Sequence, residues 1–386
     1  MNAYKFKRIV LVGLLVAMSS SIAFAYPPDN AAVLYYKACL IYRVDDGMAD
    51  MLGDLQKGRI ELNDEIREFV NKKQNQRIID TVLDASEVKN CEWGMDFSQG
   101  MDMDIPSLSS LREIFRLVIA EAKILTADGD YEEALSRCMG LYRMARHIND
   151  RIFICNLVAI AINDAVNNCV MEIMSAMPQD AETIARLKNQ LIEIESIPLS
   201  IKPAIIAERE AVLFFMTSEQ MADVVGFVED VTVKEKLLTA DDAFLERSKK
   251  YFEGYFDKVV AAFEMPYVEG FTVLRDLDEK TAKVAKDNPD AILTNVLAPA
   301  MRKMFSHTKR FETHNNAVKA AVEIYMVKAR TGKLPEELPV GLPMGMFSGE
   351  SFDYLKTDDG FMLRCRQKNL SDKKDEPYEY EFKVKK

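Results

Sequence analysis

The sequence is short of the residues that most enzymes recruit. Its 386 residues hold three histidines, one tryptophan, 16 glycines and 13 prolines. His307 and His314 lie seven positions apart, on one helix face but about 10 Å apart by helical rise. A zinc pair uses the four-residue step of His-Glu-x-x-His instead, and His147 is remote in sequence. There is no Gly-x-Ser-x-Gly elbow, no phosphate-cradling glycine loop and no dinucleotide fingerprint. The sequence therefore predicts no metal site and no cofactor, points to no catalytic residue, and leans away from an enzyme. Few glycines and prolines alongside 21 methionines favour a mainly helical chain.

Positive charge is also scarce. Fifty Lys and Arg face 61 Asp and Glu, a formal charge of −11. Lys5, Lys7 and Arg8, the basic start ahead of the apolar run Ile9 to Met18, account for three of the positive charges. With Ala23-Phe-Ala25 after it, this start reads as a signal peptide over residues 1–25, cleaved near Ala25. The apolar run is short for a membrane span, although an uncleaved anchor is the alternative. The expected product is exported, periplasmic or secreted, without a membrane span once cleaved. So acidic a chain disfavours nucleic acid, because phosphate binding needs clustered Lys and Arg.

Cysteines are few but even in number: Cys39, Cys91, Cys138, Cys155, Cys169 and Cys365. None forms a Cys-x-x-Cys pair. If residues 131–147 and 151–174 make an antiparallel hairpin, Cys138 faces roughly residue 161. Cys155 is then about 9 Å away along the axis, beyond disulfide reach. A Cys39–Cys91 pair is open, and buried free thiols are the alternative.

Periodicity predicts a multi-helix bundle over residues 26–330. Asp29 is placed to cap a helix through Tyr42, apolar on most faces. Helices follow near 64–72 and 75–87. Ser110-Leu-Arg-Glu113 reads as a capping box, and Leu108, Leu111, Phe115, Val118, Ala122 and Leu125 form one apolar stripe. Asp128-Gly-Asp130 breaks that helix, and residues 131–147 return. The Gly129-Asp-Tyr-Glu-Glu-Ala-Leu135 stretch resembles a tetratricopeptide hairpin, but the period of about 34 residues does not recur. Asn156, Asn163 and Asn167 share a face of the apolar segment 152–177, either lining a cleft or bonding between helices. Further helices are expected over 180–195, 203–225, 240–263 and 289–331. Glu208-Arg-Glu210 is either a buried ion network or a solvated charged face.

The last 56 residues, 331–386, change character. Gly332, Pro335, Pro339, Gly341, Pro343 and Gly345 interrupt the helical pattern. Strands are expected at 352–357, 361–366 and 378–384, the first two joined by Asp358-Asp-Gly360, because Asp-Gly tolerates positive φ. The result is a small antiparallel β-meander.

One stretch gathers the rare residues: Cys91-Glu-Trp-Gly-Met-Asp-Phe-Ser-Gln-Gly-Met-Asp-Met-Asp104. Trp93, Asp96, Asp102 and Asp104 are the candidate ligand residues. Calcium takes such oxygens, but an EF-hand counted from Asp96 would need glycine and glutamate where Met101 and Ser107 stand. Paired carboxylates with Trp93 as a sugar platform would suit a glycan hydrolase. The third possibility is structural, with Trp93 and Phe97 filling apolar space and the aspartates solvated.

Taken in order, Asn30-Ala-Ala-x-Leu-Tyr-Tyr36, Cys91-x-Trp-Gly-x-Asp96, Ile105-Pro-Ser-Leu-Ser-Ser-Leu-Arg112 and Arg143-x-x-Arg146-His147 resemble exported helical proteins of planctomycete-like bacteria. That resemblance implies an architecture and a compartment and brings no catalytic residue. The C-terminal segment is similar to the globular end of type II secretion pseudopilins, through Thr331-Gly-Lys-Leu-Pro335-Glu-Glu-Leu338 and Phe347-Ser-Gly349. Gly345-Met346 stands where that family has Asp-Pro, which weakens a calcium site. The pilin-type N-terminal helix is also missing. The functional expectation is an exported, non-enzymatic interaction protein with a protein partner at the envelope. The rivals are a hydrolase around Trp93 to Asp104 and an envelope assembly factor that uses the C-terminus.

Overall fold

The computed structural model describes residues 29–96, 105–150, 152–196, 199–217, 225–226, 228, 231–239, 241–298, 301–372 and 376–384. It is mainly helical, with a small C-terminal three-stranded antiparallel sheet. The first helices are α1 (Ala31–Ile41), α2 (Asp46–Gln56), α3 (Asp64–Val70) and α4 (Lys73–Glu87). Next come α5 (Leu108–Asp128), α6 (Tyr131–Ile148), α7 (Phe153–Ala176), α8 (Ala181–Glu195) and α9 (Lys202–Phe215). They are followed by α10 (Val231–Leu238), α11 (Asp242–Phe263), α12 (Tyr267–Asp287), α13 (Ile292–Leu297) and α14 (Met301–Thr331).

Local chemistry sets many of these boundaries. Asn30, rather than Asp29, caps α1, its side chain accepting from the Ala32 N–H. The predicted capping box does not form. Helix α5 starts at Leu108, two residues before Ser110, after an uncapped Ser107. Ser110 then shares a 2.9 Å hydroxyl contact with Ser107, and Glu113 pairs with Arg116 at 2.7 Å. At the other end Gly129 takes φ 87° and donates to Leu125 and Thr126, the left-handed stop that glycine allows without steric cost.

Three helices, α2, α10 and α12, fall outside those expected from the sequence. Helix α2 contains two glycines and three aspartates, which hide its apolar face of Met48, Leu52 and Leu55. Its start is marked by Asp45, which accepts from the Met48 N–H. In α12 the buried positions Tyr267, Gly270, Phe271, Leu274, Leu277 and Thr281 keep helical spacing through a charged sequence. The helix expected over 203–225 ends at Phe215, and residues 218–224 lie outside the described residues.

Helices α5, α6 and α7 pack in succession, with α4 against α6 and α1 against α4. The long α14 crosses this layer, touching α7, α8, α12 and the sheet. Helix α7 is long and apolar enough to cross a bilayer by composition, but most of its apolar window is buried inside the protein. All six cysteines are free thiols, Cys39 and Cys91 half-buried among them.

The sheet runs β1 (Asp353–Thr357), β2 (Gly360–Arg364) and β3 (Glu379–Lys383), in that order. Thr357 pairs with Gly360, so Asp358 and Asp359 form the turn and Gly360 belongs to the strand. Gly360 is not among the positive-φ glycines, so the turn does not use the Asp-Gly preference. Glycine is required there for another reason: a Cβ would stand 1.9 Å from the Phe382 carbonyl oxygen. The sheet shares the helical core. Phe361 stacks on Phe382 at 5.1 Å, and Tyr325 of α14 meets Phe361 edge-on at 5.4 Å.

Candidate functional site

Of the four carboxylate and aromatic candidates, Trp93 and Asp96 are described; Asp102 and Asp104, with Phe97, lie outside the described residues. Trp93 is only 5 % exposed. Its indole stacks on Tyr35 at 5.6 Å and meets Tyr36 edge-on at 5.4 Å. The indole N–H donates to the His147 carbonyl at 2.7 Å, closing the C-terminal end of α6. Asn30 fastens the same strand of chain, donating to the Glu92 carbonyl and accepting from the Glu92 N–H, both at 2.8 Å. Tyr36 donates to the Trp93 carbonyl. With its faces against tyrosines and its N–H committed, this indole offers no platform to a sugar. It ties α1 to α6.

His147 completes that knot. Its Nδ1 lies 3.0 Å from the Tyr35 hydroxyl, and the ring also hydrogen-bonds the Val88 backbone. Burial is the largest influence and holds its pKa down to about 4; Arg143 acts the same way, and the Val88 bond opposes them. The unfolded imidazole takes up a proton near its ordinary 6.5, the folded one only near 4. Between those values unfolding takes up a proton. The folded state is therefore favoured above about pH 6.5 and loses this contribution progressively as pH falls toward 4. Substituting His147→Gln should flatten that part of a urea-midpoint profile against pH. A slope equal to the wild type's would show that other groups produce it.

The clearest concave site lies elsewhere, between α6, α8 and α14. A cleft of about 400 Å³ is lined by Arg146, Glu195, Lys309, Glu312, Asn315 and Lys319, among others. Against it lies a chamber of about 10 Å³ that shares Arg146, Glu195, Asn315 and Lys319, room for about one water molecule. Arg146 donates through Nε to the Ile194 carbonyl at 3.1 Å, closing the end of α8. Its Nη1 donates to the Tyr142 carbonyl and to Asn163 Oδ1. Burial lowers its pKa to about 10, with Tyr142 and Glu195 working against that shift. Lys319 pairs with Glu195, and Lys309 with Glu312, each at 2.9 Å.

The asparagine line behind this cleft is used for bonding between helices. Asn315 Oδ1 accepts from Asn163 at 2.9 Å and from Asn167 at 2.7 Å, while Tyr142 donates to Asn167 Oδ1. Asn163 and Asn167 stood out in the sequence; their partner Asn315, about 150 residues away, carried no signal of its own. Asn156 separates from the line. It donates to Asn149, and its own buried Oδ1 has no hydrogen-bond partner. The cleft can hold a polar group by hydrogen bonds and charge, and among the described residues no serine, cysteine or histidine lines it.

A second polar cluster joins the helices to the sheet. His314 Nδ1 lies 2.5 Å from Asp164, and its ring stacks on Tyr380 of β3 at 5.0 Å. Burial would raise the Asp164 pKa, but His314, Arg310 and His307 together hold it below the usual carboxylate range. The other imidazole nitrogen faces the Met171 sulfur at 3.4 Å, so no hydroxyl stands where a nucleophile would. Glu208 does not join an ion network with Arg209, which instead reaches Asp257 and Glu253 on α11. Among the described residues no group of three or more His, Cys, Asp or Glu side chains converges for a metal.

Fold and site together define a mainly helical protein with a small packed sheet and a polar interhelical cleft. No protein-family model, curated protein or solved structure matches the chain.

Proposed function

We propose that this is an exported, non-enzymatic interaction protein of the cell envelope, and that the outer face of α1 docks its protein partner. One observation carries this reading. Helix α1 is apolar on nearly every side, yet Val33, Tyr36, Leu40 and Ile41 are 46, 37, 72 and 38 % exposed. They follow helical spacing, interrupted on that face by Lys37. A helix apolar all round is normally buried all round, and contiguous exposed apolar surface marks docking sites. The ridge suits a partner helix laid along it. The inner face is anchored by Tyr35 and by Trp93, so the outer one is presented on a rigid base. The signal-like N-terminus and the likeness to exported helical proteins support the compartment, and the hairpin of α5 and α6 is similar to tetratricopeptide units.

The test is crosslinking of the purified protein to envelope extract, followed by the same experiment with Val33→Lys and Leu40→Lys. Both positions are exposed, so the unfolding midpoint should stay unchanged while the crosslinked adduct is lost. Leu238→Lys, exposed on α10, should keep the adduct. Adducts that survive both α1 substitutions would overturn the docking face. Turnover of a substrate without any adduct would overturn the non-enzymatic reading.

A further inference from the structure

A cysteine pair that the hairpin count did not consider is brought together by the packing of α6 on α7. Tyr142 bonds Asn167, and Arg146 bonds Asn163. One helical turn beyond the first of these contacts, Cys138 on α6 comes opposite the part of α7 that holds Cys169. The Cys138 and Cys169 thiols are near enough to interact electrostatically. Both are buried, at 0 and 1 % exposure.

The offset from the expected register is large. Cys138 meets the neighbourhood of residue 169 rather than 161, roughly two helical turns or about 12 Å further along the axis. The linker accounts for it. The chain leaves helical geometry at Asn149 and is extended at Ile152 before α7 begins. It therefore travels onward along the axis before turning back.

We propose that Cys138 and Cys169, free thiols in this structure, become the structural disulfide of this protein, closed between α6 and α7 when the chain folds in the presence of a disulfide donor. One cysteine, as thiolate, attacks the donor's S–S bond and releases one donor thiol. The second then attacks the mixed disulfide, forming the Cys138–Cys169 bond and releasing the other donor thiol. The two protons and two electrons lost by the cysteines end on the two donor thiols.

The contact between neighbouring helices is local in sequence, so it forms early, before the remaining core closes over it. Timing matters, because in the finished fold the neighbouring sulfur and burial push the Cys138 thiol up and keep it protonated, hence slow to react. The cysteines stand 31 positions apart. Closing a loop of that length should lower the unfolding equilibrium constant by roughly a hundredfold or more. This inference rests on the helix register and is independent of the docking face on α1.

The experiment is to unfold the full chain in denaturant with reductant and refold it in a mixture of reduced and oxidised glutathione. Free thiols are then blocked under denaturing conditions and the linkages mapped by mass spectrometry without reduction. A peptide joining Cys138 to Cys169 is expected, and it should persist in the Cys39→Ser/Cys91→Ser variant. Reductant should then lower the wild-type unfolding midpoint and leave a Cys138→Ala/Cys169→Ala variant unmoved. If both cysteines are recovered blocked as free thiols, or are linked only to other cysteines, the proposal is wrong.

Discussion

Replacing Trp93 with alanine should destabilise the fold by about 3–5 kcal/mol, the range for deleting a large buried aromatic. The side chain fills space against Tyr35 and Tyr36, and its loss leaves a cavity between α1 and the end of α6. It also strips the His147 carbonyl of the 2.7 Å bond that closes α6. Trp93→Phe separates the two effects. It keeps much of the ring and removes the donor with a smaller loss of volume, so a loss of about 1–3 kcal/mol is expected. Equilibrium urea unfolding of both variants measures the difference. A cost below about 1 kcal/mol for the alanine variant, at the level of an ordinary surface change, would remove Trp93 from the core. It would reopen the stretch around it as a ligand site.

Deleting residues 333–386 should prevent cooperative folding altogether. The segment removes Phe347, Phe352, Phe361, Leu363 and Phe382, all buried at 2 % exposure or less. Each would uncover apolar surface worth about 1.5–3 kcal/mol, against a total stability of about 5–15 kcal/mol. The truncation also orphans polar groups that the sheet satisfies. Tyr325 donates to the Lys383 carbonyl, and Tyr267 donates to Asn369 while accepting from the Leu370 N–H. Ser175 loses the Lys383 N–H. Circular dichroism on heating should show a broad, non-cooperative transition, with dye binding to exposed apolar surface at room temperature. A sharp transition in the truncated chain would establish the sheet as an independent module. The integration also bears on the assembly-factor reading: loss of binding on truncation would report unfolding, so that reading is better tested by substituting exposed residues such as Val340 and Leu355.

The elements that were legible in the sequence are those whose information is local. The apolar stripe from Leu108 to Leu125, the Gly129 stop and the meander at the end could be read because periodicity and backbone freedom act over a few residues. The stretches α2 and α12 were lost because glycines and charges diluted their stripes. Gly360 was read for the right strand pair on the wrong ground: the constraint is the approach of Phe382, a neighbour across the sheet. Asn163 and Asn167 were visible as buried amides, but Asn315 could not be matched to them from the sequence.

The cysteines and the CEWG stretch mark the same boundary. Composition and periodicity were enough to establish a mainly helical chain, a three-stranded end and six cysteines without a metal-binding spacing. Which thiols meet depends on how far the linker after Ile148 carries the chain before α7 turns back. That distance follows from packing between helices and is invisible to a residue count. Likewise Trp93 could be named from its rarity, but whether its ring faced solvent or core was set by Tyr35, Tyr36 and His147, which are 54 to 58 positions away from it along the chain. Helix propensity is a property of neighbours in sequence; burial, hydrogen-bond satisfaction and sulfur contacts belong to neighbours in space, and only folding supplies those.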